Sequence, residues 1–184
     1  MDTRAPRLLA LLLIGGVALA ACGGASPVTD VGASAPAPLG VDAGEGPLPA
    51  ADFPLLADPS TTVSTTDWLG TPTVVNFWAT WCGFCLDEMP DLQAAHVALG
   101  DAVRFVGIDR QDPRDDALAF VRDTGVTYLQ VTSADGAYFP RVRARGMPTT
   151  LFVDADGQVR FRHTGPLDEA QVLELVSEHL GVAP

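Results

Sequence analysis

Asn76-Phe77-Trp78-Ala79-Thr80-Trp81-Cys82-Gly83-Phe84-Cys85 is the stretch on which the fold turns. Its front half completes a run, Thr73 to Trp78, that is mostly apolar and rich in β-branched and aromatic residues, the composition of a strand buried on both faces. Its back half opens a helix predicted from Cys82 to about Leu99 and stopped by Gly100. Pro90 inside that helix removes a hydrogen bond to the Leu86 carbonyl and predicts a kink. The two cysteines therefore stand at a strand-to-helix turn. Cys82 there feels the positive end of the helix dipole and the unpaired first amides, both of which favour thiolate, the attacking species. Cys85, nearly one turn deeper, is more shielded and placed to resolve a mixed disulfide once it has formed.

The chain has three cysteines, Cys22, Cys82 and Cys85. A lone close pair serves as a crosslink, as half of a metal site, or as a redox couple. A crosslink closing so short a loop gains little from loop entropy. Zinc takes about four ligands, and none of His96, His163 and His179 stands at a metal-like spacing from the pair or from another histidine. Redox chemistry is the use that remains, with no metal and no organic cofactor required.

The third cysteine belongs to an address. Arg4 and Arg7 precede the uncharged run Leu8 to Ala21, which ends at Cys22. Such a run is too short for a bilayer span of about 20 residues but suits the apolar region of a signal peptide. Leu19-Ala20-Ala21-Cys22 resembles a bacterial lipobox, in which the cysteine thiol is lipidated and the chain is cut just before it. That implies a protein lipid-anchored through Cys22 on the extracytoplasmic face of a bacterial membrane. Residues 22–50 then hold 6 Gly, 5 Pro, 6 Ala and 2 Ser and no aromatic side chain, too little apolar surface to offset ordering entropy. They read as a flexible tether of roughly 30 Å, with the folded domain at 51–184.

Within that domain, Phe53–Leu56 and Thr61–Val63 read as short strands and Thr66–Leu69 as a helical turn. Val103–Ile108 is a second buried strand. Asp112-Pro113 reads as N-cap and first residue of a helix ended by Gly125. Thr127–Val131 is a further strand, and a short helical piece follows Gly136. Thr149–Val153 and Val159–His163 flank Asp154-Ala155-Asp156-Gly157 as a hairpin. The last helix begins at Asp168 with Gln171 in the capping-box position and carries Val172, Leu175, Val176 and His179 on one stripe. This order gives an α/β sandwich: a central mixed sheet flanked by helices, with an N-terminal β extension.

Length and charge bound the rest. The 184 residues are 47% apolar and 18% charged, one globular domain with length to spare. Eleven basic residues against 23 acidic give a net charge of −12, which excludes a phosphate-neutralising, nucleic-acid-binding role. All 11 are Arg, so Schiff-base and P-loop lysine chemistry are excluded too. Cleavage before Cys22 leaves 9 basic and 22 acidic groups, net −13. Anionic lipid would repel such a chain, so acyl chains must hold it at a membrane.

Asn76–Cys85, followed by Gly146-Met147-Pro148-Thr149-Thr150-Leu151-Phe152-Val153-Asp154-Ala155-Asp156-Gly157, resembles the thioredoxin superfamily, and within it the membrane-anchored TlpA/ResA-like thiol–disulfide oxidoreductases. The resemblance covers nearly all of 51–184 and implies a thioredoxin-like fold. It implies that Cys82 is the nucleophile and Cys85 the resolving thiol, and that Pro148 is a cis-proline facing the disulfide, preceded by Met147. It matches Glu88 to a glutamate found after the motif in the ResA-like branch, and Asp112–Val131 to an insertion between core strands. It further implies exported dithiol or disulfide proteins as substrates. Reduction is the direction it suggests, often of apocytochrome c, with a membrane thiol shuttle as electron donor.

The residues themselves support these roles. Glu88 lies three positions after Cys85, on the same helix face; partly desolvated, its pKa would rise and it could take the proton Cys85 must lose. Asn76 stands where cytoplasmic thioredoxins have a buried aspartate, and it does not titrate. A cis bond before Pro148 would leave the Met147 backbone free to pair with an extended substrate. Trp81, Gly83 and Phe84 complete the expected contact surface, Trp78 is expected at its rim, and Trp68 in the core. Asp109, Asp112, Asp115 and Asp116 read as a solvated loop and helix start, and Asp154 to Gly157 as a turn without the other ligands of a calcium loop. His163 ends a strand with no identified partner. Gly83-Phe84 lacks the proline common in reducing members, so an oxidant of the same fold is the first alternative. A peroxiredoxin-like peroxidase would need a threonine where Ala79 stands, and a copper-binding lipoprotein using the thiolates and His163 would need a wider cysteine spacing.

Overall fold

An apolar run such as Thr73–Trp78 has no face to offer water, and all six residues are buried. The computed structural model describes residues 40–42 and 46–183, which fall in the unit 36–184, one of two into which the chain divides. The signal segment, Cys22 and the tether over 22–39 and 43–45 lie outside the described residues. In chain order the strands and helices are β1 (Gly40–Asp42), β2 (Asp52–Pro54), β3 (Thr62–Ser64), β4 (Thr73–Trp78), α1 (Gly83–Leu99), β5 (Arg104–Arg110), α2 (Arg114–Thr124), β6 (Leu129–Ser133), α3 (Tyr138–Arg141), β7 (Thr149–Val153), β8 (Val159–Thr164) and α4 (Glu169–Leu180).

The sheet runs β1-β8-β7-β4-β5-β6. β4, β5 and β6 are parallel, and β7 and β8 run antiparallel to their neighbours, the mixed sheet of a thioredoxin-like fold. β2 and β3 form a separate antiparallel pair, the β extension expected at the N-terminal side. Side chains alternate across β4. Val74 and Trp78 join one apolar layer with Met89 and Leu92 of α1, Ala117 of α2, and Val172 and Val176 of α4. Val75 and Phe77 join the opposite layer with Phe53, Trp68, Tyr138 and Phe139. A one-residue shift at Phe152/Val153 in the β7–β8 pairing sends Val159 into the second layer and Phe161 into the first.

Local chemistry accounts for most element ends. Asp168 and Gln171 form the capping box of α4. Gly125 closes α2 at φ 72, a left-handed conformation in which its amide returns to the Arg122 and Val121 carbonyls. α1 continues past Pro90 to Leu99.

Two readings change. The tether does not extend to Ala50, because the chain joins the domain earlier. β1 pairs with β8, Leu48 donates its amide to the Gly157 carbonyl at 2.8 Å, and Tyr138 donates its hydroxyl to the Pro49 carbonyl at 2.7 Å. The edge of β8 pairs β1, and the Asp154–Gly157 turn and α3 supply the other partners, through backbone groups that a Gly/Pro-rich composition does not reveal. Asp112, in turn, is not the N-cap of α2. Pro113 takes that position with no side-chain bond, and the Asp112 carboxyl is engaged elsewhere.

Candidate active site

β4 ends at Trp78 and α1 begins at Gly83, so Ala79 to Cys82 must turn the chain from sheet to helix. Cys82 is the N-cap, with extended backbone (φ −94, ψ 98), and its Sγ accepts from the Cys85 amide at 3.2 Å. A sulfur so placed takes the position that a serine or aspartate oxygen occupies in ordinary caps, and shares an amide that also donates to the Cys82 carbonyl at 3.0 Å. Cys82 and Cys85 are joined in a disulfide with Cα atoms 5.3 Å apart. Burial separates them: Cys82 is 6% exposed and Cys85 0%. Trp81 and Phe84, 65% and 63% exposed, flank this small opening, and Gly83 adds no side chain to obstruct it.

The Met147–Pro148 peptide is cis. Pro148 enters β7 one residue before Thr149, which pairs with Phe77, so it lies at the end of the sheet where the cysteine turn lies. Met147 is half-buried against both apolar layers, and the Pro148 carbonyl accepts from the Gly165 amide at 3.0 Å.

Glu88 sits one turn below Cys85 on the buried face of α1. It is 1% exposed, a deeper position than partial desolvation. Asn76 Nδ2 donates to its Oε1 at 2.8 Å, and the Leu167 amide to its Oε2 at 3.1 Å. The same Asn76 nitrogen donates to Thr150 Oγ1 at 3.1 Å. Burial pushes the carboxyl up to about 8 against the pull of these two donors. Glu88 is thus a carboxyl raised by burial, one turn along α1 from Cys85.

Three further positions differ from expectation. Trp78 is fully buried rather than at the rim; it stacks on Phe120 with ring centroids 5.1 Å apart and donates to Gln130 Oε1 at 2.9 Å. Gln130 reaches it by crossing Gly107, where a Cβ would collide with the Gln130 amide. Asp109 is 0% exposed, and burial together with the facing Asp112 carboxyl raises it. Asp112 itself accepts from the amide and hydroxyl of Thr80. His163 is buried within β8, and burial lowers it. Trp68 is core, as read from sequence. Among the described residues no group of three or more His, Cys, Asp or Glu side chains is placed to hold a metal ion, and no helix is long and apolar enough to cross a membrane.

The residues that sequence reasoning missed are Thr150, Leu167 and the Asp109–Asp112 pair. For Asp109 a signal existed: it directly follows the apolar run Val103–Ile108, where a charge can stand inside the sheet only with a partner.

Comparison with known proteins follows the same lines. The family model described as Redoxin matches residues 43–176. The thiol:disulfide interchange protein DsbE of Xylella fastidiosa (strain 9a5c) is 38% identical over 129 residues, covering 70% of this chain and 64% of that relative, so the match spans less than two thirds of its length. Among solved structures, a secreted Mycobacterium tuberculosis disulfide oxidoreductase homologous to Escherichia coli DsbE superposes with a TM-score of 0.63 at 26% identity, covering 70% of this chain and 95% of that one. A DsbF homologue from Corynebacterium diphtheriae gives 0.66 at 27% identity, covering 79% and 96%.

Proposed function

The chain belongs to the Redoxin family, in its TlpA/ResA-like thioredoxin-fold form, and on that premise we propose that it is a thiol–disulfide oxidoreductase acting on exported proteins, chiefly as a reductant. The observation that carries this reading is the asymmetry of the pair: one sulfur at a helix N-terminus with a narrow opening to solvent, the other sealed behind it.

In the reducing direction the Cys82 thiolate attacks one sulfur of a substrate disulfide. A Cys82–substrate disulfide forms, and the other substrate sulfur leaves as thiolate, taking a proton from water. Cys85 then loses its proton and attacks Cys82 Sγ. The second substrate thiolate departs, and the Cys82–Cys85 disulfide seen in the structure is left. Both electrons pass from the enzyme's dithiol to the substrate. Glu88, ionised, takes the Cys85 proton and returns it when the disulfide is reduced again. Trp81, Gly83 and Phe84 form the apolar approach, and the Met147 backbone before Pro148 pairs with an extended substrate segment. Apocytochrome c is the substrate we favour, with a membrane thiol shuttle restoring the dithiol. Cys22 carries the lipid that holds the domain on the extracytoplasmic face; Cys22→Ser is expected to move the protein from the lipid-anchored form to the soluble fraction or to leave it unprocessed.

The equilibrium of the Cys82–Cys85 couple against glutathione tests the direction. A potential near about −270 mV supports a reductant, and one near about −120 mV overturns that direction in favour of disulfide formation. Cys85→Ala, which stops the reaction at the mixed disulfide, identifies the partner.

A further inference from the structure

The turn that delivers Cys82 to α1 is fastened from outside by a single side chain. The Thr80 amide donates to Asp112 Oδ2, and the Thr80 hydroxyl donates to Oδ1 at 2.9 Å. Both carboxyl oxygens of a residue 32 positions away are thus spent on one residue of the turn. Asp112 reaches it because Gln111, just after β5, takes a left-handed conformation at φ 67. A residue with a Cβ occupies that region only when its surroundings require it. Two residues beyond Thr80, Cys82 bonds back to the Ala79 carbonyl at 3.0 Å, so the place of the sulfur depends on the place of Thr80.

Behind Asp112 stands a second carboxyl. Asp109 is wholly buried and lies opposite Trp78 in the β4–β5 register. Its Oδ2 accepts from Thr132 Oγ1 at 2.9 Å. Both the carboxyl and the backbone amide of Asp112 face the Asp109 carboxyl. Burial, with the Asp112 carboxyl beside it, raises Asp109 and favours its protonated form, which can donate toward Asp112. Protonated, Asp109 adds a further donor to the Asp112 carboxyl beside the two from Thr80. The neighbouring cations are engaged elsewhere: Arg110 lies over the Phe139 ring at 4.6 Å, and Arg114 donates to the Leu56 and Ala57 carbonyls. Asp115 and Asp116 point to solvent in the first turn of α2.

We propose that Asp112, braced by Asp109, is a positioning residue for disulfide exchange: it clamps Thr80 and so holds Cys82 at the N-cap of α1. This rests on the reading of Cys82 as the attacking sulfur. With the clamp open, Cys82 Sγ drifts from the Cys85 amide, and the thiolate loses a donor. Its titration then moves to higher pH. Charge alone acts the other way, because removing a nearby carboxylate favours a thiolate. The sign of the change therefore separates positioning from simple electrostatics.

The experiment uses the reduced full-length protein and reads two quantities: the pH dependence of Cys82 alkylation by iodoacetamide, and the rate of exchange with glutathione disulfide. Asp112→Ala is expected to raise the Cys82 titration by about one unit and to cut exchange about tenfold at neutral pH. Asp112→Asn, which keeps an acceptor for the Thr80 amide, is expected to restore most of the loss. A titration that stays in place or falls in Asp112→Ala overturns the clamp, as does a loss that Asp112→Asn does not repair. Should Asp112→Ala not fold, Thr80→Val removes the hydroxyl bond at a half-buried position; a raised titration supports the clamp and an unchanged one overturns it. Wild-type protein that exchanges with no disulfide defeats the function proposed above, while the alkylation titration still decides the clamp.

Discussion

A carboxyl that is 1% exposed and held by two neutral donors makes Glu88 a residue whose protonation the fold controls strongly. Its folded value, about 8, lies above the 4.5 of an unperturbed glutamate, so the folded protein retains a proton that the unfolded chain gives up first. The stability this supplies is present in full below about pH 4.5 and is lost as pH rises through 8. At about 1.4 kcal/mol per unit, the decline over that window amounts to a few kcal/mol. Asp109, also raised, adds to the slope with the same sign. Urea unfolding at several pH values is expected to show this decline in the wild type and a shallower one in Glu88→Gln. Parallel curves for the two proteins would falsify the assignment. Exchange catalysed by Glu88→Gln is expected to be slower and to lose its pH inflection near 8. The residue itself was legible in the sequence from its spacing to Cys85. Its depth was not, because that depth depends on Leu167, 79 positions away.

Between elements, β4, β5 and β6 are tied by more than their backbone ladders. Gln130 on β6 extends across β5 at Gly107 to hold the Trp78 indole on β4, and Trp78 leads directly into the cysteine turn. A methyl group at 107 would meet the Gln130 amide. Gly107→Ala should therefore displace Gln130 and leave the buried indole N–H without its acceptor, at a cost of about 1–3 kcal/mol. Thermal unfolding checks this, and a melting temperature equal to the wild type would show that Gln130 has an alternative path. Val103–Ile108 reads from sequence as a buried strand, and β5 forms there. What the pattern does not disclose is why a glycine interrupts it, because the reason lies in a side chain two elements away.

On the scale of the molecule, the domain begins ahead of the point where composition changes. β1 covers the edge of β8, and Leu48, Pro49 and Ala50 accept or donate bonds to Gly157, Tyr138 and Arg141. A chain starting at residue 51 loses all of these and exposes a strand edge; a chain starting at residue 40 keeps them. The shorter protein is expected to melt several degrees lower and to aggregate more readily, with the longer one close to full length. Equal melting temperatures would return the boundary to Ala51.

The sequence alone determined the strand–turn–helix that carries Cys82 and Cys85, the caps of the last helix and the hairpin at Asp154–Gly157. These follow from residue preference and spacing over one or two turns of chain, where local sterics and hydrogen bonding dominate. The tertiary structure decided that Glu88 is sealed, that Trp78 is core, that Asp112 bonds the active-site turn instead of capping a helix, and that a Gly/Pro-rich segment adds a strand. Each of these depends on which distant backbone or carboxyl the sheet register brings within reach, and register is a property of the assembled fold rather than of any short stretch within it.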